Sequence, residues 1–293
     1  MMLQVKTWLI AARPHTLSAS VVPVLVGSAL AARLGMFEGA VFAATLVASL
    51  LVQVGANFTD EYADHGATGS AHKYLAPHKV IKRGLLSEAA VKRGAAVVFA
   101  VATFIGVWLV WRTGWPLLAV CLFSLLVAYA YSAGPWPLGD LALGEPLVFI
   151  TMGVVMVTGT VYVQTLRIES RALWLSLPVA ALVTNILVAN NLRDLEEDRR
   201  NRRRTLATLL GPRFMAGLYG ALLALAYAVP PLAWGTGWGG AWLWLPWLTL
   251  PLGLRNLGWI LARRDQDTLH RALRASSALH LAFGLLLALG LLM

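Results

Sequence analysis

Residues 172–198 read ALWLSLPVAALVTNILVANNLRDLEED, a long apolar run that ends in a cluster of amides and carboxylates. As a helix rising about 1.5 Å per residue, the run 172–191 reaches across a hydrocarbon core about 30 Å thick. Ionisable groups at the end of a membrane helix are costly and usually functional. The stretch therefore predicts a transmembrane helix that carries a polar site to one membrane face.

Apolar runs of this kind recur along the whole chain. Eight more lie at roughly 16–32, 37–56, 95–111, 115–133, 141–163, 214–233, 240–260 and 276–293. The run 240–260 is interrupted by Pro246, Pro251 and Gly253. Hydrophobic residues make up 58% of the chain and charged residues 13%, against about a quarter charged in a soluble domain. The runs lack the strict alternation of a membrane β-barrel. We predict one all-α integral membrane domain over residues 1–293 with nine transmembrane helices.

The net charge of +10 is distributed in a way that sets orientation. With a cytoplasmic N-terminus, twenty Lys and Arg residues fall on the cytoplasmic side, and four fall opposite: Arg33, Arg112, Arg167 and Arg171. This positive-inside bias predicts a cytoplasmic N-terminus, an outer C-terminus and a multi-pass protein of the plasma membrane. It also accounts for the charge without a nucleic-acid partner. The lone Cys121 excludes disulfides and a cysteine metal site.

Two polar clusters share one spacing. Asn57, Asp60 and Asp64 follow the second apolar run, and Asn191, Asp194 and Asp198 follow the sixth. Positions i, i+3 and i+7 lie on one face of a helix over two turns. The predicted topology brings both clusters to the cytoplasmic side, so we expect two acidic helix faces that look at each other across a cavity.

Oxygen ligands without His or Cys suit Mg²⁺, which is typically shared between carboxylates and substrate phosphates. Basic residues follow both clusters: Lys73, Lys79, Lys82 and Arg83 after the first, and Arg199–Arg204 after the second. Carboxylates, Mg²⁺ and flanking cations are the groups needed to bind a diphosphate and neutralise it as it leaves. The sequence thus predicts Mg²⁺ and a diphosphate substrate.

These motifs resemble the UbiA superfamily of intramembrane prenyltransferases over nearly the whole chain. The similar segments are Ala12–Leu17 with Pro23–Gly27, Asn57–Asp64, Asn190–Asp198, and Arg204–Ala207 with Gly211. Within the superfamily, Tyr131–Pro135, Gly144-Glu145, Gly159–Tyr162 and Gln164 are similar to the branch that prenylates 1,4-dihydroxy-2-naphthoate in menaquinone synthesis.

The resemblance implies a nine-helix fold around a central cavity, with a polyprenyl diphosphate donor and 1,4-dihydroxy-2-naphthoate as acceptor. It implies Mg²⁺ ligands at Asp60, Asp64, Asp194 and Asp198. Asn57 and Asn191 would contribute to the same catalytic site. Substrate contacts are expected from Lys73, Lys79, Arg83, Arg193, Tyr131 and Glu61. The ring would attack the allylic carbon, with loss of diphosphate and CO₂.

Three positions depart from the family pattern. Thr68 stands where the first motif usually has another acid, which leaves the number of Mg²⁺ ions open and makes Glu61 a substitute ligand. Arg202–Arg204 replaces the usual Gly-Lys before Arg-Thr. Pro135 stands where the 4-hydroxybenzoate branch has Lys, which argues against that acceptor.

Two alternatives remain at this point. A prenyltransferase of the same superfamily could act on another aromatic acceptor or on a tetrapyrrole, and prenyl length is not encoded in a recognisable motif. A cation-coupled transporter would also carry intramembrane acids, but near the bilayer midplane. Both acidic clusters here are predicted at one membrane face, which favours the enzyme.

Overall fold

The computed structural model describes residues 2–66, 79–132, 137–237, 239–263 and 265–293. In the first of these ranges, side chains are described only for residues 5–63. Within these ranges the chain is helical and has no strand. The long helices are α2 (Ser18–Arg33), α3 (Gly39–Gly66), α4 (Glu88–Thr113), α5 (Trp115–Ala130), α8 (Ser170–Arg193), α10 (Leu206–Gly235) and α12 (Gln266–Leu292). The shorter ones are α1 (Met2–Ala11), α6 (Gly144–Val148), α7 (Met156–Thr165), α9 (Leu195–Arg200) and α11 (Leu250–Ala262).

Seven spans in the described part of the chain are long and apolar enough to cross a membrane. They confirm the all-α membrane class, and each coincides with one of the nine predicted runs. The other two runs fold differently: 115–133 contains the 16-residue α5, and 240–260 divides into a 3-10 helix, Ala241–Thr249, and α11. Pro251 lies in the first turn of α11, where proline is tolerated because the amide there needs no partner. The count of nine spans remains a prediction.

The main hydrophobic core joins α2, α7, α8, α10, α11 and α12. Small residues allow this close packing: a Cβ at Gly284 of α12 would collide with Val22 of α2. A Cβ at Gly153 would likewise collide with Ala180 of α8. In membranes such contacts replace the hydrophobic effect as the force between helices. Gly153 lies in the π-helix Phe149–Val155, which joins α6 to α7.

The helices α3, α4 and α5 form a second, looser part of the bundle. Two small clusters hold it. One packs Ala11 of α1 and Phe58 of α3 against α4, and the other joins Leu109 of α4 to Leu117 of α5 and Val163 of α7. A cavity lies between this part and the main core, and it contains the candidate site.

Candidate active site

The cavity has a volume of about 700 Å³ and is bordered by α2, α3, α4, α5, α7 and α8. Most of its wall is apolar or carries small hydroxyl groups. Larger polar and charged side chains enter it from the segment before α2, from the later part of α3, from the ends of α5 and α8, and from the loop between α9 and α10. They are Arg13, Thr16, Gln53, Asn57, Asp60, Tyr131, Asn190, Asn191, Arg193, Asp194 and Arg203. In an antiparallel bundle these helix ends lie on the same side of the bundle. The cavity therefore has one charged end, and the rest of its length is apolar.

The first motif lies on α3, which continues unbroken to Gly66. The Asp60 carboxylate faces the cavity and forms an ion pair with Arg13, Nη2 to Oδ2 2.5 Å. Asn57 donates through Nδ2 to the carbonyl oxygen of Ala12 (2.8 Å) and to Thr16 Oγ1 (3.0 Å). The motif is thereby tied to the segment before α2, and Arg13 becomes part of the site.

The second motif lies at a break in the helix. The helix α8 ends at Arg193, and Asp194, with φ −92° and ψ 2°, separates it from α9. Arg193 holds the Asp194 carboxylate through Nε and Nη2, both at 2.7 Å, and also contacts Asn190 Oδ1 at 3.0 Å. Among the described side chains, each acidic motif therefore presents to the cavity one aspartate that is paired with an arginine.

The expectation of one unbroken acidic helix face is wrong for the second motif. Beyond the break, Asp198 is 2% exposed and is not among the described residues that line the cavity. Its carboxylate pairs with Arg203 (3.2 Å), which also binds Asp140 at 2.6 Å. Asp194 interrupts the helix between the two halves of the motif. Asp198 is paired with Arg203, whose side chain does reach the cavity, and the role of Asp198 as a Mg²⁺ ligand remains a prediction.

The remaining residues predicted around the first motif are placed outside the cavity or outside the described residues. Glu61 is 1% exposed and accepts a hydrogen bond from the amide of Ile81 at 3.0 Å, so it anchors the loop before α4. Lys79, in the same loop, is buried within electrostatic range of Asp60. Arg83 is exposed. The side chain of Asp64 and all of Lys73 lie outside the described residues, as do Thr68 and Pro135.

Tyr131, predicted to contact substrate, does line the cavity at the end of α5. A Cβ on Gly144 would lie 3.1 Å from the Tyr131 hydroxyl oxygen, so the glycine makes room for the phenol. A phenol is neutral at physiological pH, so Tyr131 can act as a hydrogen-bond donor in the cavity.

Two residues of the motif stretch from Tyr131 to Gln164 lie away from the charged end. The Tyr162 hydroxyl donates to the Thr113 carbonyl (3.1 Å), and Gln164 Oε1 accepts from the Glu38 amide at 2.7 Å. Glu38 in turn forms a bidentate pair with Arg112, at 2.8 and 2.7 Å. These bonds join the ends of α4 and α7 to the start of α3 and so close the opposite end of the bundle.

The sequence pattern did not single out Arg13 or Asn190, and it included Arg203 only as one member of the basic run Arg199–Arg204. All three lay inside segments already recognised as motifs: Arg13 in the opening Ala12–Leu17, Asn190 beside Asn191, and Arg203 in the basic run. Of the two aspartates that line the cavity, only Asp194 has an arginine next to it in the chain, Arg193, which directly precedes it. Arg13 could not be found this way because it is brought to Asp60 only by the packing of α2 on α3.

The residues present are compatible with Mg²⁺ at the charged end. Asp60, Asp194 and the amide Asn191 all present oxygen donors to one cavity, and such donors without His or Cys suit this ion. No three acidic, His or Cys side chains are clustered for a metal in the described part of the chain. Each aspartate is instead neutralised by its arginine.

Known proteins are similar to this chain in sequence and in fold. The UbiA prenyltransferase family model matches residues 20–288. The chain is 30% identical to the 1,4-dihydroxy-2-naphthoate octaprenyltransferase of Bacillus subtilis, covering 96% of this chain and 90% of that protein. It is 32% identical to the enzyme of the same name from Mycobacterium leprae, covering 85% and 84%.

Two solved structures show the same helical fold at low sequence identity. An apo UbiA homologue from Aeropyrum pernix superposes with a TM-score of 0.69 at 17% identity, covering 94% of this chain and 96% of that one. A UbiA homologue from Archaeoglobus fulgidus bound to DMAPP and Mg²⁺ superposes with a TM-score of 0.66 at 13% identity, covering 96% and 99%.

Proposed function

The chain belongs to the UbiA prenyltransferase family, and on this premise we propose that it transfers a polyprenyl chain from polyprenyl diphosphate to 1,4-dihydroxy-2-naphthoate. The products are demethylmenaquinone, diphosphate and CO₂. The observation that carries the proposal is the cavity, in which Asp60 and Asp194, each with an arginine, border a large apolar space. The similar enzymes are named 1,4-dihydroxy-2-naphthoate octaprenyltransferase, which supports this naphthoate as the acceptor.

The charged end has the chemistry to bind the diphosphate. Arg13 and Arg193 already balance two carboxylates, and both guanidinium groups can turn their donors to phosphate oxygens when a cation takes the aspartates. Bound Mg²⁺, held by Asp60, Asp194 and further oxygen donors such as Asp64, would draw charge from the leaving group. Arg203, held by Asp198 and Asp140, adds a third guanidinium group at the same end.

The apolar remainder of the cavity suits the prenyl tail and the aromatic ring. Wall residues near the charged end, such as Val127 and Ala128 of α5 and Leu187 of α8, exclude water from the allylic carbon as it becomes cationic, which protects it from hydrolysis. The neutral Tyr131 hydroxyl can donate a hydrogen bond to the acceptor. Attack of the ring carbon that carries the carboxylate, followed by loss of CO₂, then restores aromaticity.

The decisive experiment is an assay of purified protein with one polyprenyl diphosphate and a panel of acceptors. The panel contains 1,4-dihydroxy-2-naphthoate, 4-hydroxybenzoate and a tetrapyrrole, each with and without Mg²⁺. We expect one CO₂ and one diphosphate per prenylated naphthoate, only with Mg²⁺. Transfer only to another acceptor would replace the substrate, and transfer to none would overturn the proposal.

We further propose a cytoplasmic N-terminus in the plasma membrane, so that the charged end opens to the cytoplasm. The uneven distribution of Lys and Arg supports this orientation. In a Cys121→Ser background, a cysteine in the loop 201–205 should react with a membrane-impermeant thiol reagent only from the inside. A cysteine added after Met293 should react only from the outside, and the reverse pattern would contradict the orientation.

A further inference from the structure

Glu145 is a buried acid that lies one layer behind the cavity wall. It is 3% exposed, sits in the short helix α6, and is not among the described residues that line the cavity. Its Oε1 accepts a hydrogen bond from Asn191 Nδ2 at 2.9 Å, and its Oε2 has no hydrogen-bond partner among the described residues. Burying a carboxyl group with so few partners is costly, so its presence calls for a role.

The hydrogen bond to Glu145 determines which end of the Asn191 amide faces the cavity. The two ends of an amide have nearly the same shape, and hydrogen-bond partners decide which way it points. A carboxylate oxygen only accepts, so the NH₂ group of Asn191 turns to Glu145. Asn191 itself lines the cavity, and no described residue donates to its Oδ1. The carbonyl oxygen is therefore the atom presented to a ligand.

We propose that Glu145 is a positioning residue that makes Asn191 an oxygen donor at the charged end of the cavity. An amide oxygen attracts a divalent cation, whereas an amide NH₂ group would repel it. Asn57 of the first motif is oriented in a related way, because its Nδ2 is committed to the Ala12 carbonyl and to Thr16, but its Oδ1 also accepts a long hydrogen bond from Gln53 Nε2 at 3.4 Å. The inference rests on the proposed function for the identity of the ligand, a divalent cation with a diphosphate.

Binding of Mn²⁺ in the presence of inorganic diphosphate, followed by the EPR signal of free Mn²⁺, tests this role. Glu145→Leu should weaken binding about tenfold, as is typical when the partner of a metal ligand is removed. Glu145→Gln keeps an acceptor oxygen for Asn191 and should restore binding close to wild type. A matched control is Thr184→Val in α8, because Thr184 is buried, bonds only the Ala180 carbonyl and does not line the cavity.

A double-mutant cycle separates positioning from general damage. If Glu145 acts through Asn191, Glu145→Leu should add nothing to the loss caused by Asn191→Leu. Multiplicative losses, or an equal loss in Thr184→Val, would overturn the proposal. Thermal unfolding of each variant shows whether it is folded.

One measurement needs no variant. The anomalous signal of Mn²⁺ in a structure of the wild-type protein with diphosphate should place Asn191 Oδ1 within coordination distance of the metal. A metal that leaves the amide uncoordinated would overturn the inference. Because none of these readouts requires prenyl transfer, they remain interpretable if the proposed reaction fails.

Discussion

In the most apolar stretch of α8, 78% of the residues are buried within the protein, whereas only 11% are buried in the most apolar stretch of α3. The difference continues in their neighbours: α2 and α12 share the main core with α8, but α5 has a single buried residue, Leu117. Most core residues of α8 are enclosed by protein, and Val183 and Ile186 face the cavity. Core residues of α3, α4 and α5 contact the cavity on one side and, in a bilayer, lipid on the other.

The candidate site lies at the border between two walls of the cavity that are packed differently. The wall formed by α8 is called the rigid wall, and the wall formed by α3, α4 and α5 is called the adaptable wall. Asp194 follows the well-packed α8, while Asp60 lies on α3, whose apolar stretch is poorly buried although Asn57, Thr59 and Glu61 around Asp60 are buried. The rigid wall can hold oxygen donors in fixed positions, as catalysis by electrostatic stabilisation requires. The adaptable wall can accommodate a long, flexible apolar substrate.

The largest effect should come from the two acids at the border. Asp60→Ala and Asp194→Ala should each lower turnover at least a hundredfold, about 2.7 kcal/mol of transition-state stabilisation, because each removes a cavity carboxylate and releases its arginine. Steady-state kinetics at saturating substrates measure this. Loss in Asp194→Ala alone would show that the adaptable wall carries no catalytic ligand.

The next effect concerns stability. Leu182 in α8 is 1% exposed within the main core, so Leu182→Ala should destabilise the protein by about 2–5 kcal/mol. Leu126 in α5 is 65% exposed and does not line the cavity, so Leu126→Ala should change stability by less than about 0.5 kcal/mol. Thermal unfolding in one detergent compares them. Equal losses would mean that α5 is as tightly held as α8.

The smallest effect is expected from a cross-link between α4 and α5. The cross-link tests whether these two helices must move apart to admit the prenyl tail of the substrate. A Cβ at Gly106 of α4 would lie 3.9 Å from Cys121 Sγ of α5, so Gly106→Cys can form a disulfide with the native thiol. Oxidation should lower transfer from a long polyprenyl diphosphate about tenfold, 1.4 kcal/mol, but spare dimethylallyl diphosphate.

Reductant should restore the activity of the cross-linked protein. The control is Gly106→Cys combined with Cys121→Ser, which cannot form the bond and should not respond to oxidation. If oxidation leaves long-chain transfer unchanged, α4 and α5 do not need to separate. If it abolishes transfer from both donors, the bond has distorted the charged end.

The membrane class, the positions of the helical runs and the two acidic motifs could all be predicted from the order of the amino acids. These features are local: hydrophobicity over about twenty residues predicts a span because the bilayer has a fixed thickness. The regular spacing of Asn57 and Asp60 likewise predicted a shared helix face, which α3 confirms. Asp64 shares that helix, and its role remains a prediction.

Which groups meet could be learned only from the packing of the folded chain. The pairing of Arg13 with Asp60, the break of α8 at Asp194 and the burial of Asp198 against Arg203 depend on contacts between segments far apart in the chain or on one backbone conformation. The same holds for the Asn191–Glu145 bond, whose partners come from α8 and α6. Spacing fixes the face on which a residue lies, but packing fixes what that face touches.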